Sequence, residues 1–380
     1  MGGLRYILVN IIDTLLRVIP IPARTGLIIL GNPGRNAPVF LTGNYRLTVE
    51  RVKRALRGLD AYLLVVDSAG ISVWCASAGG YLTNHQVISA IKTSGIEGLV
   101  NHRTVILPQL AAVGVEPRVI RQKTGWNIVF GPVYAKDIPP FLSQGCEKTP
   151  EMRQVSFDIT QRIEMAVMWA FPLSALGALF TSLIRPGAVL PLIALIWGLS
   201  LGVFLAFPLY ARWLNPKGHF PDFARGGLQA LFWSLVILGI VGYTELTGRF
   251  DRNTVFNWGL VALGLVALLG FDMTGNTPVY KSSYHRERFF DVVISERKCT
   301  GCGLCEDVCP RNCFEVDHTR HKVTRPRGEL CIQCGACLVQ CPVDALYFRN
   351  PQGEVILPQI VRKFKLNMLG ERVIGSYGKG

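Results

Sequence analysis

Eight of the eleven cysteines in this 380-residue chain fall in two runs of one pattern. Cys299, Cys302, Cys305 and Cys309 precede Pro310, and Cys331, Cys334, Cys337 and Cys341 precede Pro342. Thiolates spaced two residues apart can together grip an iron–sulfur cube, and soft sulfur donors suit iron. A zinc module or a disulfide framework accounts poorly for a doubled run of four with proline after each fourth cysteine. The chemistry to expect is one-electron transfer. Thiolates persist where disulfides are rare, so the pattern also points to a reducing, cytoplasmic compartment. Cys313 lies outside both runs and reads as a small buried hydrophobe. The spacing assigns no role to Cys146.

The pattern resembles that of bacterial two-cluster ferredoxins, in which the cysteine before each proline crosses to the other cluster. That resemblance assigns Cys299, Cys302, Cys305 and Cys341 to one [4Fe-4S] cluster, and Cys331, Cys334, Cys337 and Cys309 to the second. An α+β bacterial-type 2[4Fe-4S] ferredoxin domain is expected over residues 291–350, after a linker at 274–290 and before a basic tail at 351–380.

These centres belong to a chain built for a membrane. Hydrophobic residues make up 49% of it, and they are concentrated. Met165 to Ile184, Pro186 to Ala211, Gly226 to Thr244 and Asn253 to Phe271 carry no Asp, Glu, Lys or Arg. Each can cross a hydrocarbon core of about 30 Å at about 1.5 Å per residue, with modest tilt or local thinning. A four-helix transmembrane domain is expected over residues 163–273. Trp169, Tyr210, Trp213 and Trp258 sit near span ends, where aromatic anchors belong, and Pro172, Pro191 and Pro208 are tolerable inside lipid-embedded helices.

Arg212, Lys217 and Arg225 fill the middle loop, against Arg185 in the first and Arg249 with Arg252 in the third. Positive-inside counting then puts the middle loop and both flanking soluble parts in the cytoplasm, on a multi-pass inner-membrane protein. The net charge of +14 fits a membrane surface, since no nucleic-acid module is visible and no nucleic-acid partner is expected. Within the N-terminal segment 1–35, Leu4, Ile7, Leu8, Ile11, Ile12, Leu15, Leu16 and Ile19 recur at helical spacing around Arg5, Asp13 and Arg17. This is an amphipathic helix that either lies on the membrane or packs on the next domain.

Residues 36–157 alternate short apolar runs with amphipathic segments, which predicts an α/β domain. Strands are expected at Pro38–Leu41, Ala61–Val66, Thr104–Leu107 and Asn127–Phe130. Helices are expected at Thr48–Leu59, N-capped by Thr48 with Arg51 and Arg54 outward, at Thr83–Ser94, stopped by Gly95, and at Ala135–Gln144, interrupted by Pro139 and Pro140. Between two of these elements lies VWCASAGG, residues 73–80, read as a small-residue loop that lets a bulky ligand approach the backbone. There is no P-loop and no Gly-x-Gly-x-x-Gly run after a strand, and the six histidines form no ligand cluster.

The segments VFLTGNYRLTVE, GLDAYLLVVDSAGISVWCASAGG, VNHRTVILPQLAAVGV, GPVYAKDIPPFL and TPEMRQV together resemble the membrane-anchored corrinoid protein of microbial mercury methylation. That family is similar in turn to the corrinoid domain of the acetyl-CoA-pathway corrinoid iron–sulfur protein. The four spans match its architecture, and the eight-cysteine module resembles its ferredoxin partner, here fused in one chain. The resemblance implies an α/β corrinoid-binding domain in which Cys75 ligates cobalt from the lower face of a cobalamin-type ring. The ring would lie over a loop containing Val73, Trp74, Cys75, Ala76, Ser77, Gly79 and Gly80, with Thr42, Asn44 and Tyr45 on a second cofactor-facing loop. It implies a methyltransferase-type activity, with Hg(II) as one acceptor. The partners it implies are a corrinoid methyltransferase or methyl-folate/pterin as methyl donor, an upstream low-potential reductant, and membrane lipid.

Two features depart from the family pattern. Ser72 stands where the family has Asn, and Ser77, Ala78, Gly79 and Gly80 stand where it has a Gly-Lys pair. No cysteine follows Cys341, although the family's ferredoxin ends in cysteines associated with mercury delivery. Two other readings fit the same residues: a paralogue passing methyl to another acceptor in one-carbon metabolism, and a membrane electron carrier in which Cys75 is structural.

Overall fold

The computed structural model describes residues 3–211, 226–248, 250–273, 289–366 and 371–374. Arg212, Trp213, Lys217, Arg225, Arg249 and most of the expected linker at 274–290 lie outside the described residues. The chain divides into two compact units. One contains the described parts of residues 1–9, 20–155 and 289–380, and the other those of 10–19 and 156–288.

The first helix, α1 (Gly3–Leu15), leaves Leu4, Ile7, Leu8, Ile11 and Ile12 exposed while Asp13 is buried. A five-stranded sheet follows, built from β1 (Gly26–Leu30), β2 (Val39–Gly43), β3 (Ala61–Val66), β4 (Thr104–Leu107) and β5 (Asn127–Phe130), in spatial order β1-β3-β2-β4-β5. β1 runs antiparallel to β3, with Gly26 opposite Val65 and Leu30 opposite Ala61, and the other pairs are parallel. β2 and β3 are buried along their whole length, so both need the unbroken apolar runs that central parallel strands carry. Alternate residues feed two cores. Val39, Leu41, Tyr62, Leu64 and Val66 face one side, and Phe40, Ala61, Leu63 and Val65 face the other.

The helices of this unit are α2 (Arg46–Ala55), α3 (Val73–Gly79), α4 (Asn84–Thr93), α5 (Ile96–Leu99), α6 (Pro117–Thr124), α7 (Ile138–Ser143) and α8 (Pro150–Arg153). Three expectations are corrected. α2 begins two residues before Thr48, which does not cap it; Tyr45 holds the N-cap position, and burial of Leu47 and Val49 against the sheet draws the first turn in early. Val73–Gly79 form a helix, not a loop, and Gly80 ends it in a left-handed conformation. Pro139 and Pro140 interrupt nothing, because they occupy the first turn of α7, where proline is favoured, after a 3₁₀ turn at Ala135–Asp137. α4 starts as expected, with Thr83 and Gln86 forming a capping box, and Gly95 beyond its end adopts φ 73°.

In the other unit, α9 (Ile159–Ile184), α10 (Val189–Leu205), α12 (Gly227–Leu246) and α13 (Arg252–Met273) are the long apolar helices, with the single-turn α11 (Phe207–Tyr210) after α10. Four helical segments, Ile159–Ile184, Pro186–Leu205, Gly227–Leu246 and Arg252–Gly270, are long and apolar enough to cross a membrane. The second span ends sooner than expected, at Leu205: a 3₁₀ turn at Pro186–Ala188 leads into α10, and Pro208 lies in the first turn of the separate α11. α9 begins six residues before Met165, where Asp158 accepts from the Gln161 amide. The Glu164 carboxylate in its second turn meets Arg17 at 3.0 Å. Leu176, Leu179, Phe180, Leu183, Leu235 and Leu238 point outward, as lipid-facing side chains do.

The C-terminal part of the first unit has β6 (Asp291–Ile294), α14 (Leu304–Asp307), a hairpin of β7 (Glu315–Asp317) and β8 (Lys322–Thr324), α15 (Ala336–Gln340), β9 (Leu346–Arg349) and β10 (Val355–Ile356). β9 pairs antiparallel with both β6 and β10. The basic tail is ordered where it is described: α16 (Pro358–Lys363) leads into a hairpin of β11 (Phe364–Leu366) and β12 (Arg372–Ile374).

Candidate functional site

The cysteines of the C-terminal module sort into two cavities. Cys299, Cys302, Cys305 and Cys341 line one of about 330 Å³, with Ile294, Val323 and Leu346. Cys309, Cys331, Cys334 and Cys337 line the other, of about 300 Å³, with Val292 and Phe314. In each case three thiols come from one run and the fourth from the other. Burial, reinforced by Cys302, Cys341 and Cys299, pushes the Cys305 thiol up to about 12, and burial pushes fully enclosed Cys337 well above its usual range. Four thiolates in an apolar box repel one another unless a cationic centre compensates them, so this donor set fits an iron–sulfur cluster.

The two halves of the module mirror each other down to the backbone. Cys309 Sγ accepts from the Cys313 amide at 3.3 Å, and Cys341 Sγ accepts from the Ala345 amide at 3.2 Å. Cys313 therefore occupies the position that alanine holds in the other half. It is a fifth thiol on the second cavity, pushed up by its hydrogen bonds to Cys309 and Cys331. Cys313 is buried, as expected, and packs in the core of the module as well as on this cavity.

In the α/β part, the carboxyl ends of β2 and β4 lie where the strand order reverses, with β3 on one side and β5 on the other. Open parallel sheets hold ligands in the crevice at such a switch point. Thr42 and Asn44 come from the end of β2, Asp67 to Ser72 from the end of β3, and a 3₁₀ turn, Gln109–Val113, from the end of β4. Asn44 is a clamp: its Oδ1 accepts from Ser68 N at 2.9 Å, Ser68 Oγ at 3.1 Å and Gly70 N at 2.9 Å, and its amide donates to Asp67 at 3.2 Å. Asn44 and Asp67 also edge an open concavity with Ala23, Arg24 and Thr25. Tyr45 is buried at the start of α2.

α3 carries the rest. Ser72 Oγ accepts from the Cys75 amide at 3.4 Å, so serine fills the capping role for which asparagine is equally suited. Val73, Ala76, Ser77 and Gly80 are buried, while Trp74, Cys75, Ala78 and Gly79 are half-buried. Gly80, at φ 82°, reverses the chain so that the Tyr81 and Leu82 amides donate to Ala76 O at 2.7 and 3.0 Å. Cys75, Ala78 and Gly79 share one helix face with no side chain larger than cysteine. Thr42 Oγ1 and Ser77 Oγ are buried without a hydrogen-bond partner among the described residues. The small side chains of the Cys75 face would let a flat ligand approach the backbone closely.

The module docks on this same end of the sheet. Gln340 Nε2 donates to Ala112 O and Val115 O, both at 2.7 Å, and Lys365 Nζ to Val113 O at 3.4 Å. The 3₁₀ turn in turn packs on α3: a Cβ at Gly114 would lie 2.8 Å from Ser77 O and would collide with Leu82 O. Cys334 and Ala336 join the core that contains Val73 and Trp74. Three ion pairs flank the contact, Lys148–Asp307 at 3.1 Å, Arg153–Glu306 at 3.0 Å and Arg362–Glu116 at 3.6 Å. The Val155 amide donates to Pro310 O at 2.9 Å. Burial lowers the Lys148 ammonium to about 8, with Asp307 opposing the shift. A groove of about 1440 Å³ between the two parts exposes Cys146 and reaches Cys341.

Comparison with known proteins finds similarity in two segments of the chain. Residues 298–345 match the 4Fe-4S dicluster domain. Residues 13–142 match the CO dehydrogenase/acetyl-CoA synthase delta subunit family. Among relatives, the acetyl-CoA decarbonylase/synthase complex subunit gamma of Methanopyrus kandleri is 33% identical over 127 residues, which is 33% of this chain and 27% of that protein. The corresponding subunit of Archaeoglobus fulgidus is 35% identical over 127 residues, 33% of this chain and 27% of its own. That of Methanothermobacter thermautotrophicus is 39% identical over 116 residues, 30% and 25% of the two chains. The chain spans about a quarter of the length of these relatives. The chain thus resembles the CO dehydrogenase/acetyl-CoA synthase delta subunit family over residues 13–142 and the 4Fe-4S dicluster domain over residues 298–345, with four apolar helices of membrane-spanning length between the two matches.

Proposed function

We propose that the chain is a membrane-anchored corrinoid methyl-transfer protein of one-carbon metabolism with its own two-cluster reductant fused to it. The observation that carries this reading is the docking of α15, through Gln340, onto the turn that packs against α3 at Ser77, in the helix that carries Cys75. A bound corrin supplies a cobalt centre that carries a methyl group, and [4Fe-4S] clusters supply low-potential one-electron transfer.

The chain's own residues have separate tasks in this reading. Cys75 would hold the bound group through a strongly donating thiolate. Val73, Trp74, Ala76, Ser77, Gly79 and Gly80 form the supporting face, and Thr42, Asn44 and Tyr45 the neighbouring edge. Cys299, Cys302, Cys305 and Cys341 hold one cluster, and Cys331, Cys334, Cys337 and Cys309 the other. The outward apolar residues of α1 favour its lying on the lipid surface. Both soluble parts face the cytoplasm, with a methyl-folate or methyl-pterin, or a corrinoid methyltransferase, as donor and an external low-potential reductant upstream. The matched acetyl-CoA decarbonylase/synthase subunits favour an acceptor within one-carbon metabolism.

The test is the visible spectrum of protein purified without oxygen from corrinoid-supplied cells. Corrin bands beside iron–sulfur absorption, altered by Cys75→Ala, are expected. Iron–sulfur absorption alone would leave a membrane electron carrier in its place. Incubating the methylated protein with Hg(II) then separates acceptors: methylmercury identifies mercury as a substrate, and its absence under reducing conditions removes it.

A further inference from the structure

The two cysteine groups differ in what surrounds them. Around the second, Cys309, Cys331 and Cys337 are buried, Cys334 packs on the α/β core, and a Cβ at Gly335 would lie 2.8 Å from Val361 of α16. The first opens outward. Cys302 and Thr300 are exposed, Leu304 is 42% and Val343 39% exposed, and Pro342 is exposed beside them.

Charge follows the same division. Three of the module's carboxylates are spent on internal pairs: Glu306 with Arg153, Asp307 with Lys148, and Asp344 with Arg362 at 2.6 Å. At the open end the balance is reversed. Arg297 and Lys298 immediately precede Cys299, are exposed, and carry no ion pair among the described residues. The β7–β8 turn abuts the same segment, since a Cβ at Gly301 would collide with the His321 backbone. Lys322 Nζ pins it by donating to Glu296 O at 2.7 Å and Cys299 O at 2.6 Å. The turn adds Arg320, which is 83% exposed and reaches Asp317 only at 3.7 Å. Against Arg297, Lys298, Arg320 and Lys322 stand Glu296 and Asp317. An apolar patch over a redox centre, rimmed by net positive charge, suits a transient partner of the opposite sign.

We infer that the rim of Arg297, Lys298 and Arg320 around Cys302, Leu304 and Val343 docks a small acidic one-electron carrier protein, and that electrons enter through the first cysteine group and leave toward Cys75 through the second. This rests on the reading that the eight cysteines hold two clusters. One electron leaves the carrier's reduced centre and enters the cluster held by the first group. No bond or proton moves with it.

The test uses full-length, cluster-loaded protein in detergent micelles. Its visible bleaching is followed by stopped flow after mixing with a reduced acidic ferredoxin, and separately with reduced methyl viologen, at rising ionic strength. Wild-type protein should be reduced by the ferredoxin at a rate that falls with salt. The double variant Arg297→Glu/Lys298→Glu should be reduced roughly tenfold more slowly at low salt, with little salt dependence. Reduction by methyl viologen should change less than about twofold. Arg57→Glu/Arg121→Glu, which reverses two exposed charges on the α/β part, should behave as wild type. Ferredoxin reduction of the first variant at the wild-type rate, or an equal loss in the control, overturns the inference. Protein that binds no [4Fe-4S] iron overturns the cluster reading itself, so the two failures are told apart by iron content.

Discussion

Gln340 and Val115 stand 225 residues apart in the chain, yet the glutamine side-chain amide donates to the valine carbonyl at 2.7 Å. The same amide reaches Ala112 O at 2.7 Å. Gln340 directly precedes Cys341, and it is buried. One side chain therefore fixes the cysteine module against the turn behind α3.

Gln340→Leu should keep the apolar contacts but leave two buried carbonyls without a donor, at a cost of about 1–3 kcal/mol each. Hydrogen–deuterium exchange should rise across residues 109–115 while iron content stays unchanged. Unaltered exchange there would mean that the two bonds do not hold the junction.

Gly114→Ala tests the next contact inward. Its methyl would meet backbone atoms of Leu82 and Ser77, which cannot move aside as a flexible side chain can. Overpacking of this kind costs about 1–3 kcal/mol, and the melting temperature should drop accordingly. Corrin retention should fall with it if α3 supports the ring. A variant as stable as wild type would show that α3 shifts freely.

Lys148 gives a pH-dependent prediction. Its folded value of about 8 lies below the ordinary lysine range because burial outweighs the attraction of Asp307. Asp307→Ala removes that attraction and lowers the folded value further. The added cost is fully present below the variant's folded value and disappears above about pH 8, where the lysine is neutral in both folded proteins. Chemical denaturation should therefore find Asp307→Ala destabilised by about 1–3 kcal/mol at pH 6 and much less at pH 9. A loss that grows with pH would reverse the assignment.

Cys313→Ala should leave both cysteine groups able to assemble, since Ala345 holds the equivalent position in the other half. A thiol on the lining of the second cavity can stabilise added negative charge on cluster sulfur, so its removal should lower one of two midpoint potentials. Redox titration followed by electron paramagnetic resonance reads this directly. Loss of half the iron would make Cys313 a ligand instead.

Much of this fold was legible because its signals are local. Ala61–Val66, Thr104–Leu107 and Asn127–Phe130 appear as strands with the boundaries their apolar runs suggest. Thr83 caps α4 as its spacing to Gln86 requires. The four charge-free stretches became long apolar helices. Other features were not legible. β1 gains its identity only by pairing with β3, since Gly26–Leu30 carries no strand expectation of its own. Residues 73–79, rich in small side chains and glycine, have weak helical preference; the Ser72 cap and the packing of Val73 and Ala76 into the core make them helical.

The chain alone, then, determined the cysteine types and spacing, the apolar helices, and most of the strands, because each rests on periodicity or composition within about twenty residues. The tertiary structure decided which cysteines share a cavity, that the cysteine module sits at the carboxyl end of the α/β sheet, and that Cys302 in one cysteine group is exposed while Cys309, Cys331 and Cys337 in the other are buried. Those outcomes depend on hydrogen bonds and ion pairs between residues more than a hundred positions apart, such as Gln340 with Val115 and Lys148 with Asp307, and no local pattern encodes them.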